Sequence, residues 1–194
     1  MNQSFFSDDL EARIAKEIRL WSSSVLEKPN PYFNNLPPCP YARSAWMKNK
    51  VAIVFNHENN YQSLYSCISQ FDEQYEIAVL VDLGNVKSAD DFHEYLDSLN
   101  QVISEGMFID KDIWLMGFHP EDEPSDFVEE IEFDPLEEKP YAMIFVQRLS
   151  KLQEAADKLL KKGYYDSYDA EYDASTIYGV RETLHRRLKD GNET

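Results

Sequence analysis

Four short apolar runs, separated by amphipathic segments, constrain the fold more than any other feature of this chain. They lie at Val51–Phe55, Glu76–Leu83, Ile113–Met116 and Tyr141–Val146. Each is nearly continuous in apolar residues, the pattern of strands covered on both faces. The intervening segments carry the helical period. Leu10, Ile14, Ile18, Trp21 and Val25 make one stripe, in a helix expected over 8–27 and capped by Ser7. Phe92, Leu96, Leu99 and Ile103 make another, in a helix opened by Ser88 with Asp91 in capping-box position. Residues 61–71 read as helix. Ser150 and Gln153 open a helix that runs through Lys162 and stops at Gly163. The last helix covers 175–189 on the stripe Ile177, Val180, Leu184 and Leu188. The expectation is one α/β domain over 1–194, with a single-layer mixed sheet of about four strands covered by helices. Its α/β core covers 50–163, and a proline-rich loop over 29–40 joins the first helix to it.

Charge excludes some partners. The chain has 194 residues, 36 acidic against 19 basic, for a net charge of −17. Such a field repels phosphate backbones and anionic membranes, so direct nucleic-acid binding and membrane association are not expected. A basic protein partner or a small ligand is compatible with it. Residues 1–9 have neither the basic nor the apolar region of a secretory leader, which predicts a cytoplasmic protein. Two cysteines make no disulfide framework, and Cys67, within Leu64-Tyr65-Ser66-Cys67-Ile68, reads as a buried small residue.

No nucleotide-binding glycine motif, zinc-protease motif or nucleophile elbow occurs, so no cofactor can be named. Three residues stand out as site candidates. Cys39, in Pro37-Pro38-Cys39-Pro40-Tyr41-Ala42, sits on a proline-stiffened turn that holds its thiol on rigid backbone. A nucleophile, a metal or haem ligand, or a residue packed under a turn all fit that position. His119 follows the third strand directly, at the carboxyl end where α/β sheets hold their ligands. It reads as a general acid/base or as a ring that closes a turn. Arg148 ends the fourth strand and reads as an anion clamp or as one half of an ion pair. If the third and fourth strands run parallel, His119 and Arg148 share a rim; if antiparallel, they lie at opposite ends.

Several motifs together resemble an uncharacterised bacterial family, catalogued as domain of unknown function 1415. Its C-P-[FY]-A motif corresponds to Cys39-Pro40-Tyr41-Ala42, its D-D-F stretch to Asp90-Asp91-Phe92, and its F-H-P to Phe118-His119-Pro120. A P-Y-P strand running into an arginine corresponds to Pro140-Tyr141-Ala142 and Arg148, and a terminal I-Y…L-R-R-L helix to Ile177-Tyr178 through Leu184-His185-Arg186-Arg187-Leu188. The chain departs from the family at Glu121-Asp122-Glu123, where an aromatic is usual, and over 134–140, where a polar T-N-R-S-P-Y-P run is usual. The resemblance implies no established activity.

The function expected from these residues is that of a small enzyme or small-molecule-binding protein with a catalytic Cys39/His119/Arg148 site, compatible with a small anionic ligand. The alternative is an acidic adaptor or inhibitor, mimicking nucleic acid, that acts through residues 121–138.

Overall fold

The computed structural model describes residues 4–84, 87–122, 141–166 and 174–191. Its strands are β1 (Val51–Asn56), β2 (Ile77–Asp82), β3 (Ile113–Phe118) and β4 (Ala142–Arg148). Its α-helices are α1 (Ser4–Trp21), α2 (Ala42–Met47), α3 (Gln62–Gln70), α4 (Ala89–Ser104), α5 (Leu149–Leu160) and α6 (Ala174–Gly191). The strands form one mixed sheet in the order β1-β2-β4-β3. β1 and β2 are parallel, and β4 runs antiparallel to both β2 and β3. The α/β architecture expected from the apolar runs is therefore present, with helices on both faces of the sheet. No helix among the described residues is long and apolar enough to cross a membrane.

Strand alternation assigns each side chain to a face. On one face Ala78, Leu80, Ile144, Val146 and Leu115 meet α3 and α4, which contribute Leu64, Ile68, Phe92 and Leu96. Gly117 lets α4 lie close to β3, because a Cβ there would stand 2.4 Å from Leu96 Cδ1 and 2.5 Å from Phe92 Cε1. On the other face Ile77, Val79, Val81 and Met143 pack under α1 through Ile14, Ile18 and Trp21. Burial of such side chains at about 25 cal/mol per Å² is the main stabilising term.

Local signals account for most element ends. Ser88 Oγ accepts the Asp91 N–H at 3.2 Å and starts α4. The four residues of its stripe, Phe92, Leu96, Leu99 and Ile103, are all buried. Gly163, at φ +72°, follows α5 as its left-handed stop. Two expectations need correction. The first helix begins at Ser4, so Ser7 lies inside it and is not its cap, and it ends at Trp21, where a π turn over Ser22–Leu26 replaces its last expected turn. Helix α2 was not foreseen, since six residues directly after the proline turn are too few to show a helical period. The acidic segment 121–138, on which the adaptor reading rests, lies outside the described residues apart from Glu121 and Asp122.

Candidate functional site

The three candidate residues stand in three separate places. β3 and β4 are antiparallel, with Ile113 opposite Arg148 and Phe118 opposite Met143. His119 and Arg148 thus lie at opposite ends of the sheet, about 20 Å apart at ~3.3 Å per residue. Cys39 lies near the Arg148 end but on the other face, beside Gln147. The expected gathering of the three around one hollow does not occur.

His119 is held in a network of backbone hydrogen bonds. It is buried, and its Nε2 lies 2.7 Å from the Lys87 carbonyl, to which it donates. Its Nδ1 accepts the Glu121 N–H at 3.1 Å, and its own backbone N–H donates to Asp122 Oδ2 at 2.7 Å. Both ring nitrogens are engaged in tying the chain after β3 to the chain before α4. Arg148 is engaged as fully. Its guanidinium donates to the carbonyls of Lys111 (3.1 Å), Tyr75 (3.0 Å) and Asp72, and it lies 4.5 Å over the Phe71 ring. It binds two loops to the end of β4, in place of the expected anion clamp.

Cys39 borders a real cavity. The chamber, of about 130 Å³, opens between the sheet and the α1–α2 cover. Its floor is one phase of the sheet, namely Val51, Ile77, Val79, Phe145, Gln147, Met116 and Phe118. The register explains this set, because Val51 pairs with Ile77, Ile77 with Gln147, and Val79 with Phe145. Its roof is Ile18 and Trp21 of α1, Ser22 and Leu26 of the π turn, Cys39, and Ala42 and Trp46 of α2. Trp21, Phe118 and Phe145 form an edge-to-face trio, with Trp21–Phe118 and Phe118–Phe145 centroids each 5.2 Å apart. Met116, 43 % exposed, stands at the mouth.

The roof is held together by polar contacts. Trp46 Nε1 donates to Ser22 Oγ at 2.9 Å, and Ser22 Oγ donates to Glu27 at 3.0 Å. Arg19 pairs with Glu27 and lies 4.9 Å over the Trp46 ring. The proline turn is pinned by the Cys39 N–H to the Leu26 carbonyl (3.0 Å) and by the Tyr164 hydroxyl to the Pro38 carbonyl (2.7 Å). The Tyr41 hydroxyl donates to Gln147 Oε1. The Gln147 amide is thereby oriented in an otherwise apolar floor.

The electrostatics decide what Cys39 can do. The residue keeps intermediate exposure while its sulfur is sunk beneath the turn. Burial pushes the thiol up to about 11, and the backbone amides of Ala42 and Tyr41 offset this only in part. Burial likewise raises the Tyr41 hydroxyl well above the phenolic range. At neutral pH Cys39 is a protonated thiol, with a thiolate fraction on the order of one in ten thousand. Cys67, desolvated inside the other face, is also raised to about 11. We expect iodoacetamide to alkylate both cysteines of the folded protein more slowly than a free thiol at pH 7, by about two orders of magnitude, with the rate rising as the pH approaches 11. Rapid labelling of Cys39 at pH 7, measured by intact-mass spectrometry, would overturn this account of its environment.

No group of three or more His, Cys, Asp or Glu among the described residues is arranged to hold a metal ion. A chamber of this size takes a single ring, which leaves no room beside Cys39 for a haem macrocycle. Trp46, Phe145 and Gln147 are the site residues that sequence reasoning missed. The one available signal was Gln147, a polar residue on the inward phase of an apolar strand.

Comparison with known proteins leaves the site to be read from its own geometry: no family model, no curated protein and no solved structure matches the chain. The resemblance to domain of unknown function 1415 rests on its motifs alone.

Proposed function

We propose that this protein binds a small, mainly apolar organic molecule, one aromatic ring in size, in the chamber beneath α1 and α2. The supporting observation is the wall chemistry. Aromatic and aliphatic side chains enclose about 130 Å³, and Ser22 and Gln147 are the polar side chains in the lining. An engineered apolar cavity of ~150 Å³ in another protein binds benzene, which sets the size class. A hydroxyl or amine on the ring would meet the Gln147 amide, and the remainder would lie against Trp21, Phe118 and Phe145. Cys39 contributes an apolar, protonated thiol to the wall. Binding is favoured over catalysis because the thiol is protonated and His119 and Arg148 are engaged elsewhere.

For a ligand of eight heavy atoms, a Kd on the order of 0.1 mM is expected, about 0.7 kcal/mol per atom and between the ligand-efficiency limits of about 0.3 and 1.5. The test uses tryptophan emission during titration with 4-bromophenol, whose bromine quenches a neighbouring indole. Trp21 and Trp46 both line the chamber. Saturable quenching is expected in the wild type. Val79→Phe fills the chamber from the middle of β2, where Val79 is buried. This variant should keep the fold, by circular dichroism, and weaken binding at least tenfold. Linear, unsaturable quenching that is the same in both proteins would contradict the proposal.

A further inference from the structure

We infer that the free edge of β1 is a dimerisation edge, on which a second copy of this chain adds its own β1 antiparallel. β1 is the terminal strand of the sheet and pairs only with β2 among the described residues. A trough of about 550 Å³ runs along it, lined by Ala52, Ile53 and Val54 and by Ser66 and Gln70 of α3. The trough reaches Ala52, Ile53 and Val54 and also Ala78 of β2, so it follows β1 along the side of the sheet that α3 covers.

The opposite edge shows what a protected edge looks like. There Asn100 donates to the Leu115 carbonyl at 2.9 Å and accepts the Leu115 N–H at 3.1 Å, occupying the backbone of β3 as a strand would. Among the described residues β1 has no such cover. Its sequence, VAIVFN, holds no proline, no charge and no lysine to discourage pairing. Helix α3, QSLYSCISQ, is also uncharged. At the 28 % charged content of the chain, these fifteen residues would hold about four charges. Depletion of charge at the centre of a surface is the composition of an interface core.

Charge at the two ends selects a second copy as the occupant. Lys48 and Lys50 precede β1, and Glu58 follows it. A two-fold axis perpendicular to the sheet, pairing Ile53 with Ile53 of the second copy, sets Lys48 and Lys50 of each copy beside the Glu58 end of the other. It also lays the two neutral α3 helices side by side on one face of a continuous eight-stranded sheet, four strands from each copy. The net charge of −17 opposes association elsewhere on the surface, so the neutral seam with its complementary ends is where two copies can meet.

Sedimentation equilibrium of the full chain tests this. A monomer–dimer equilibrium at micromolar concentration is expected. Ser66→Arg, at a residue exposed in the single copy, places charge in the seam and should weaken the dimer at least tenfold while circular dichroism stays unchanged. The pair Lys48→Glu and Lys50→Glu should weaken it similarly, and adding Glu58→Lys should restore it. A wild type that stays monomeric to about 100 µM would overturn the proposal. So would a dimer indifferent to all of these changes.

Discussion

Asn56→Ala should remove about 3–5 kcal/mol of folding stability, the largest loss expected from any single polar side chain here. Asn56 ends β1 and is 1 % exposed. Its amide nitrogen faces Glu58 O at 3.0 Å, Asn60 O at 3.2 Å and Asp82 Oδ1 at 3.0 Å. Its oxygen accepts the Glu58 N–H at 3.1 Å and the Ser63 hydroxyl at 2.9 Å. One side chain thus folds back the β1–α3 loop, caps the approach to α3 and donates to a buried carboxylate at the end of the neighbouring strand. Truncation leaves several of these groups desolvated and unpaired, each at about 1–3 kcal/mol before relaxation or water entry reduces the sum. Chemical denaturation should show an unchanged m-value and a clearly lower midpoint. A loss under about 1 kcal/mol would mean that water or backbone movement replaces the network.

Arg148→Met should lose about 2–4 kcal/mol, and Arg148→Lys should recover only a minor part of it. The guanidinium reaches three backbone carbonyls from two loops and covers Phe71 with its flat face. Hydrogen bonds from a charged donor are worth about 1.5–3 kcal/mol each when well placed. Their sum is reduced here because the group is only half-buried and solvent competes for it. Lysine supplies a point charge without the planar fork, so it cannot serve both loops at once. Added sulfate should stabilise wild type and Arg148→Met equally, because the guanidinium's donors are committed to backbone carbonyls. Selective stabilisation of the wild type by sulfate would restore the anion-clamp reading.

What could be read from the sequence follows from how local each signal is. The four strands and the α4 stripe were legible because apolar continuity and the 3.6-residue period are recorded in neighbouring residues. The direction of β4 was not, since it depends on how the chain crosses from β3, and no residue of either strand records that. The proline turn at Cys39 was legible as rigid backbone. Its electrostatics were not, because the desolvation that raises the thiol comes from packing contributed by distant elements. His119 was identified by its strand-end position, yet its role is decided by Lys87 and Glu121, which the fold brings to its two nitrogens. The chamber itself joins α1, the π turn, the Cys39 loop, α2 and all four strands, so no single stretch of sequence announces it. Gln147 was the nearest thing to a local trace, a lone amide in an apolar strand.

The most direct test is a crystal of the wild-type protein soaked in 4-bromophenol and measured at the bromine absorption edge. The account predicts an anomalous peak inside the chamber, in contact with Phe145 and Phe118 and within hydrogen-bonding range of Gln147 through the phenol oxygen. Bromine found only on the outer surface, with the space beneath Trp21 and Trp46 closed by their side chains, would contradict it.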